Sequence, residues 1–234
     1  MFCQLLVTTI FLVKPNILWS KRYVVHWKPL VANVSCHYST EGDALPSAEA
    51  PGFAPAPRSI FFHETSCRGG LNSRQACAVE SAARAHPHRQ VHVLFSAPTT
   101  TYVLRNSVLA LLQNFPNIKL ARVHIVEYAK GIFAMDILDP LKSSKYSISH
   151  TSDILRIVSL RKWSGVYLDT DLVVMRSLDS LPPNWTARQA DDEVAFGVLA
   201  LSNDKTGRNI TATCEMRQSA VGYRLYYSYV CTYL

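Results

Sequence analysis

The sequence predicts an α/β fold in which the strands of a parallel sheet alternate with helices, and three observations favour it. Short apolar runs with strand character alternate with helix-like segments along most of the chain. One of these runs, residues 166–169, ends in acidic residues, and strand ends bind ligands in open α/β sheets. The 234 residues, 48% of them hydrophobic and 18% charged, suffice for one domain with a sizeable core.

Each element follows from a local pattern. Runs rich in β-branched, aromatic and other apolar residues predict strands at residues 59–63, 91–95, 118–126, 166–169 and 194–201. Helices are predicted at residues 75–85, 105–114 and 150–163. Asn72 or Ser73 can cap the first helix, and Gly165 fits just past the end of the third. The third helix has three candidate caps near its start: Ser149, Thr151 and Ser152.

The segment before residue 58 is predicted to lie outside the globular domain. Residues 1–22 form a candidate signal anchor, because an apolar run at residues 2–13 extends to residue 19 if the following lysine and proline are included. A cleaved signal peptide is the alternative. Basic residues follow the run and none precedes it, which by itself favours the opposite membrane orientation. Residues 23–57 are predicted to form a stem, because the four prolines at positions 39–58 are typical of an extended, poorly ordered linker.

Composition and charge exclude several function classes. The net charge is +7, but Lys and Arg are scattered rather than interleaved with aromatic residues, so no nucleic-acid partner is predicted. The six cysteines form no Cys-x-x-Cys pair, which disfavours a zinc or redox site. The absence of a Gly-x-Ser-x-Gly sequence argues against a serine hydrolase. Three Asn-x-Ser/Thr sequons are glycosylation candidates: Asn33, Asn184 and Asn209.

The most informative motif is an acidic pair at the end of the fourth predicted strand. Asp169 and Asp171 are two residues apart, so both carboxylates would point to one side of an extended backbone. Such a pair is a hard oxygen site for Mg²⁺ or Mn²⁺, which keep positions open for phosphate. Asp153 and Arg156 lie three residues apart on the preceding helix and share a face. A surface ion pair of little consequence is the alternative interpretation of these two residues.

Two ordered blocks resemble the Asp-x-Asp glycosyltransferases that include lactosylceramide α-1,4-galactosyltransferase and α-1,4-N-acetylglucosaminyltransferase. Residues 60–67 and 77–87 carry the first block, and residues 152–156 and 163–171 carry the second. Two blocks in the family's order are much more specific than either alone. The resemblance implies a single nucleotide-sugar-binding domain of the GT-A-like, Rossmann type over residues 58–204.

The resemblance also implies the chemistry of the site. Members of this family are retaining transferases that use a UDP-sugar and a divalent metal, usually Mn²⁺. By resemblance Asp171 ligates the metal, and Asp169 contacts the metal indirectly or the ribose. Asp153 and Arg156 would hold hydroxyl groups of the sugar and the ribose, and Tyr167 would lie beneath the nucleotide. An ordinary strand aromatic is the alternative interpretation of Tyr167.

The expected function is transfer of galactose from UDP-galactose in α-1,4 linkage to a glycosphingolipid such as lactosylceramide. Transfer of N-acetylgalactosamine or N-acetylglucosamine, or an inactive Golgi protein that keeps the nucleotide fold, are the alternatives. The resemblance implies a single-pass type II protein of the Golgi membrane with a lumenal catalytic domain, and a disulfide between Cys67 and Cys77. The sequons fit such an oxidising compartment. Residues 205–234 depart from the family, so a C-terminally truncated chain with a divergent tail is expected, and Phe196 stands where the family commonly has Asn.

Overall fold

The computed structural model describes residues 34–132, 141, 146–188 and 194–220, without the side chains of residues 215–220. These residues form six strands: β1 (Ile60–Glu64), β2 (Val91–Phe95), β3 (Ile118–Arg122), β4 (Gly165–Leu168), β5 (Trp185–Arg188) and β6 (Val194–Leu201). The helices are α1 (Ser73–Ala85), α2 (Thr101–Asn106), α3 (Val108–Leu112), α4 (Ile125–Ala129), α5 (Ser147–Trp163) and α6 (Lys205–Ala220). The candidate anchor at residues 1–22 lies outside the described residues. Among the residues that are described, none belongs to a helix long and apolar enough to cross a membrane.

One mixed sheet holds all six strands, in the order β3-β2-β1-β4-β6-β5. The first four strands in the chain pair in parallel, as the alternation of strands and helices predicts. Among the described strands β6 runs antiparallel, since it pairs antiparallel with both β4 and β5, and β5 therefore runs in the same direction as β4. The expectation of a parallel sheet is thus wrong at β6. The connection from β5 to β6, residues 189–193, is too short for the crossover that a parallel neighbour needs.

Helices cover both faces of the sheet, and the alternation of side chains along each strand divides the core in two. Phe61 of β1 and Tyr167 of β4 belong to the cluster that includes buried residues of α4 and α5. Phe62 and Val166, one residue away along the same strands, belong to the cluster that includes buried residues of α1 and α3. The period of two residues thus sends neighbouring side chains to opposite layers. Tyr167 consequently faces α5, the helix that carries Asp153.

The segment predicted to be a linker is packed against the sheet wherever it is described. The backbone N–H of Ala48 donates to the carbonyl of Arg122 at 2.7 Å, and the N–H of Arg122 donates to the carbonyl of Pro46 at 2.8 Å. These bonds pair both backbone groups of Arg122, the last residue of β3, which is an edge strand of the described sheet. Over residues 34–57 the prediction of a poorly ordered stem is therefore wrong, because the proline-rich chain is hydrogen-bonded to the end of an edge strand.

A buried guanidinium holds the same segment in place. Arg122 is fully buried, and its Nη atoms donate to the carbonyls of Cys36 at 3.3 Å and Ser39 at 2.8 Å. Its Nε lies 3.1 Å from a carboxylate oxygen of Asp43. Burial lowers the pKa of Arg122, and the carboxylates of Asp43 and Glu49 oppose that shift. A buried charge is tolerated when it is paired and hydrogen-bonded, and here the N-terminal segment supplies both kinds of partner.

Several element boundaries differ from the predictions for local reasons. The predicted helix at residues 105–114 is two helices, because Ser107 is extended and its hydroxyl accepts the N–H of Leu109 at the start of α3. The predicted strand at residues 118–126 ends at Arg122, and its last part belongs to α4. For α1, the predicted cap Asn72 is confirmed by a reciprocal capping box with Gln75.

The helix with the candidate site residues begins earlier than predicted and ends at Trp163, as predicted. It begins at Ser147, and its N-cap Tyr146 makes no side-chain cap hydrogen bond, so the three N-cap predictions are wrong. The prediction that Gly165 lies just past the end is confirmed. At the other end Ser164 is the C-cap, with φ of 55°. Gly165 follows as the first residue of β4 with φ of +122°, and a Cβ there would lie 2.3 Å from the carbonyl oxygen of Ser59. A glycine is therefore required where the chain turns from α5 into the sheet.

Candidate functional site

The predicted site residues meet where the strand order reverses. β1 is followed in the chain by β2 and β3 on one side, whereas β4 lies on its other side. Ligands bind beyond the carboxyl ends of the strands at such a switch point. Asp169 follows the last residue of β4. Helix α5 comes directly before β4 in the chain and runs in the opposite direction, so the start of α5 lies near the carboxyl end of β4. The helix and the strand end thereby bring Asp153, Arg156, Tyr167 and Asp169 together.

Arg156 bridges the two acidic residues of this cluster. Its Nη2 lies 2.9 Å from Oδ1 of Asp153 and 3.6 Å from Oδ1 of Asp169. The predicted shared face of Asp153 and Arg156 is thus confirmed. The guanidinium is buried, with 7% of the side chain exposed, so the alternative of a solvent-exposed surface pair does not hold. A cation shared between two carboxylates in a largely buried place offsets their mutual repulsion.

The remaining groups of Arg156 are also directed to protein atoms. Its Nη1 donates to the carbonyl of Phe196 at 2.6 Å, and its Nε donates to the carbonyl of Ser152 at 3.3 Å. The guanidinium carbon lies 4.7 Å from the centre of the Tyr167 ring and 4.9 Å from that of Phe196. Two aromatic rings and two carbonyls therefore hold the guanidinium in one orientation.

Tyr167 fixes one oxygen of Asp169. The phenol donates to Oδ1 of Asp169 at 2.6 Å and lies 3.0 Å from the hydroxyl of Ser152. Burial raises the pKa of Tyr167 strongly, against the opposing effect of Arg156, so the phenol keeps its proton and remains a donor. The backbone N–H of Asp169 donates to the carbonyl of Gly197 at 2.8 Å. Tyr167 is thus not an ordinary strand aromatic, because its phenol orients an acidic residue of the motif.

The electrostatic environment differs between the acidic residues. Burial raises the pKa of Asp153 to about 6; Arg156 opposes this shift and Asp169 adds to it. Asp171, in contrast, is exposed in the turn that follows Asp169. The turn is closed by the N–H of Leu172, which donates to the carbonyl of Asp169 at 3.2 Å. Since β4 ends at Leu168, the extended backbone assumed for the pair is not continued through Asp171.

The middle residue of the motif is tied to α1. The side-chain amide of Gln75 donates to the hydroxyl of Thr170 at 3.2 Å. Gln75 is also the third residue of the capping box, where its Oε1 accepts the N–H of Asn72 at 3.0 Å. The sequence predicted Asn72 as a cap of α1, but it did not predict that Gln75 of the same cap also contacts the turn that carries the motif. The acidic pair is therefore flanked on one side by α5 and on the other by the start of α1.

Two polar residues at the end of β1 are buried beside this cluster. The Nε2 of His63 lies 2.9 Å from the hydroxyl of Ser159, and the ring lies 5.2 Å from that of Tyr167. Burial, reinforced by Arg156, lowers the pKa of His63 to about 3, so the imidazole is neutral. Burial raises the pKa of Glu64, against the hydrogen bonds from Ser66. Burial therefore disfavours the charged form of both residues beside the site.

The disulfide prediction is wrong, because Cys67 is bonded to Cys36 rather than to Cys77. The carbonyl contact of Cys36 with Arg122 and the 2.9 Å contact of His37 with the carbonyl of Thr65 bring the N-terminal segment to this loop. Cys77 is itself disulfide-bonded. The one group of three or more metal-type side chains found among the described residues is Cys36, His37 and Cys67. Its two sulfurs are used by the disulfide.

Two of the three sequons lie in described parts of the chain, and they differ. Asn184 uses both ends of its amide: Nδ2 donates to Asp204 at 3.0 Å, and Oδ1 accepts the N–H of Ser202 at 2.8 Å. Asn209 is exposed on α6. Asn33 lies outside the described residues. The geometry therefore favours Asn209 over Asn184 as an accessible acceptor in the folded protein.

Comparison with known families identifies a match over the motif region. The model of a family described as "Glycosyltransferase sugar-binding region containing DXD motif" matches residues 72–188, which is half of the chain. The acidic pair and the whole of α5 lie within the matched region. Residues 60–67, the first block of the resemblance, precede it.

Curated relatives carry one name. The mouse (Mus musculus) protein named lactosylceramide 4-alpha-galactosyltransferase is 32% identical over 186 residues, covering 75% of this chain and 50% of the mouse protein. The human (Homo sapiens) protein of the same name is 36% identical over 135 residues, covering 56% and 38% respectively. The chain thus spans half or less of the length of these relatives.

A solved structure shares the fold. The protein titled "PaToxG Glycosyltransferase" aligns over 81% of this chain and 68% of its own, with a TM-score of 0.51 and 14% sequence identity. Identity this low supports a common fold alone. The similarity agrees with the mixed α/β sheet.

Proposed function

We propose that this chain, which belongs to the glycosyltransferase family with a DXD-containing sugar-binding region, transfers galactose from UDP-galactose in α-1,4 linkage to a glycosphingolipid such as lactosylceramide. The family membership establishes the glycosyltransferase class. The donor, the linkage and the acceptor are proposed from the name of the curated relatives, which are 32% and 36% identical in the two cases described. Retention of anomeric configuration is proposed from the family resemblance.

The observation that carries the proposal is the oriented acidic cluster at the switch point. Asp169 is fixed through one oxygen by Tyr167, Arg156 links it to Asp153, and Asp171 stands exposed beside it. Preorganised charges at a strand edge suit a reaction in which a diphosphate leaves, because negative charge develops there in the transition state.

The donor set fits a divalent metal. The exposed carboxylate of Asp171 and the second oxygen of Asp169 are hard oxygen ligands of the kind that Mn²⁺ and Mg²⁺ prefer. When bound, the metal would neutralise charge on the diphosphate as it leaves. Arg156 and Tyr167 would orient the carboxylates, and Gln75 would hold the turn that carries Asp171. Asp153, next to Arg156, is proposed to accept hydrogen bonds from sugar hydroxyls.

We further propose that the protein resides in the Golgi membrane as a type II protein with a lumenal catalytic domain. The disulfide of Cys36 with Cys67 and the exposed sequon at Asn209 support an oxidising compartment. Expression in a secretory cell should give a protein whose mobility changes on glycosidase treatment, and Asn209→Gln should reduce that change. An unchanged mobility of the wild type would count against lumenal residence.

The function is tested most directly at Asp171. Asp171→Asn removes an exposed carboxylate for which the described part of the chain shows no hydrogen bond or ion pair, so binding of UDP in the presence of Mn²⁺ should weaken by tenfold or more, about 1.4 kcal/mol. Isothermal titration calorimetry measures the affinity, with and without a chelator. Glu127→Gln, which removes an exposed carboxylate on α4, is the matched control and should bind as the wild type does. Equal affinity in wild type and Asp171→Asn would contradict the assignment.

The donor sugar is tested separately. UDP-galactose, UDP-N-acetylgalactosamine and UDP-N-acetylglucosamine should be compared for metal-dependent hydrolysis and for transfer to lactosylceramide. The proposal expects UDP-galactose to be preferred in both. Preference for another UDP-sugar would revise the donor, whereas metal-dependent UDP binding without turnover of any of them would favour the inactive binding protein.

A further inference from the structure

Gly197 of β6 lies directly against the carboxylate of Asp169. Its carbonyl accepts the N–H of Asp169 at 2.8 Å. A Cβ placed on Gly197 would lie 2.4 Å from Oδ2 of Asp169 and 3.0 Å from its Cγ. Both separations are shorter than normal non-bonded contacts, since carbon atoms pack best at about 3.5–4.0 Å. Only a residue without a side chain leaves room for Asp169 as it stands.

The carboxylate of Asp169 is not free to move aside. Its Oδ1 accepts the phenol of Tyr167 at 2.6 Å and lies 3.6 Å from Nη2 of Arg156. Rotation about the Cβ–Cγ bond would carry Oδ1 away from both partners. It would also leave Cγ in contact with the new methyl group. A side chain at position 197 must therefore displace Asp169 as a whole or push β6 away from β4.

The preceding residue contributes to the same wall in a different way. Phe196 acts on Arg156 through its carbonyl, at 2.6 Å from Nη1, and through its ring, at 4.9 Å from the guanidinium carbon. Phe196 thus holds the guanidinium of Arg156, and Gly197 leaves space for the carboxylate of Asp169. A substitution at position 197 keeps the backbone carbonyl but adds a side chain, so the lack of a side chain at Gly197 is the feature to test.

We infer that Gly197 is a positioning residue of the donor site. It sets where Oδ2 of Asp169 stands, and this is the oxygen that Tyr167 and Arg156 leave for a divalent cation or for the ribose of a UDP-sugar. The identity of the ligand rests on the proposed function, whereas the steric relation between Gly197 and Asp169 does not depend on it. Gly197 lies in a strand and its φ is not in the left-handed region, so alanine fits the backbone there.

A double-mutant cycle tests the steric relation without any ligand. Gly197→Ala should lower the urea midpoint of unfolding in the wild-type background. In an Asp169→Ala background it should lower the midpoint much less, because the nearest remaining atom is Cβ of residue 169 at 3.5 Å, an ordinary contact. Gly52→Ala is the control, since nothing lies within 4 Å of a Cβ there. Equal effects of Gly197→Ala in both backgrounds would overturn the inference.

A second measurement tests the consequence for the donor. In calorimetric titrations with Mn²⁺ and UDP, folded Gly197→Ala should bind at least tenfold more weakly than the wild type, and Gly52→Ala should bind equally. Unchanged affinity in Gly197→Ala would overturn the inference even if the protein is less stable. If the wild type binds no UDP but the cycle shows coupling, the proposed function is wrong and the positioning of Asp169 by Gly197 stands.

Discussion

Replacing Arg156 by methionine should destabilise the protein substantially. Methionine keeps most of the length and apolar volume of the side chain but removes the guanidinium. Asp153 and Asp169 would then lose the cation at 2.9 and 3.6 Å that they share. The carbonyl of Phe196 would lose a donor at 2.6 Å. Several charged and polar groups would be left without a partner in a place with little access to water.

The expected loss follows from what is left behind. Removing one partner of a buried ion pair costs about 3–5 kcal/mol, because the other charge stays buried. Asp153 keeps 27% of its side chain exposed, which places the cost towards the lower end of that range. The lost charged hydrogen bond to a carbonyl is of the kind that contributes about 1.5–3 kcal/mol. We therefore expect Arg156→Met to lower the free energy of unfolding by about 4 kcal/mol.

Urea unfolding at pH 7.5, followed by tryptophan fluorescence, measures this loss. Arg176→Met, at an exposed position, is the matched control and should change the free energy by less than about 0.5 kcal/mol. Adding Asp153→Asn to Arg156→Met should recover about 1–2 kcal/mol, because the unpaired carboxylate is removed. A loss below 1 kcal/mol for Arg156→Met, or no recovery in the double variant, would refute the shared-cation argument.

Two further predictions concern the stability of the folded protein. His63 has a folded-state pKa of about 3, below its ordinary value of 6.5. The unfolded state therefore binds the proton first as the pH falls, and stability that is present above pH 6.5 is lost towards pH 3, by about 2 kcal/mol between pH 6.5 and pH 5. Denaturant unfolding across this range should show a smaller loss for His63→Gln than for the exposed control His88→Gln; parallel pH profiles would contradict it. Peptide mapping without reduction should find Cys36 joined to Cys67, and Cys36→Ser should lower stability by about 3–4 kcal/mol for a sequence separation of 31 residues. A Cys67–Cys77 peptide in the map would show this pairing to be wrong.

Local pattern was sufficient for most of the parallel half of the fold. The bounds of β2 and β6 agree with the predicted runs, and β1 is displaced by a single residue. These strands are short apolar runs between polar turns, so the signal lies within the strand itself. The same holds for Asp153 and Arg156, whose contact follows from helical spacing over three residues.

The features that were missed depend on partners far along the chain. The segment at residues 34–57 has the composition of a linker, and several of its backbone groups find their partners far along the chain, at Thr99 and at Arg122 at the end of β3 among others. The antiparallel direction of β6 follows from its short connection to β5 rather than from its own apolar pattern. Arg122 looked like one of many scattered basic residues, although it is fully buried. Composition describes what a segment contains but not which strand edge is available to it.

The contacts in the structure assign the site residues roles that differ from those expected from the sequence. Arg156 was expected to hold hydroxyl groups of the donor, yet it is buried and directs its groups to Ser152, Phe196, Asp153 and Asp169. A guanidinium so occupied acts on a ligand through the carboxylates that it orients. Of Asp153, Asp169 and Asp171, Asp171 alone is exposed, so under the proposed function it would meet the metal and the diphosphate first. The second oxygen of Asp169 would then be a ligand in a fixed position, because Tyr167 and Arg156 hold its first oxygen. An exposed carboxylate beside a fixed one would give a ligand both access to the site and a defined binding position. Two equally mobile carboxylates would not define that position.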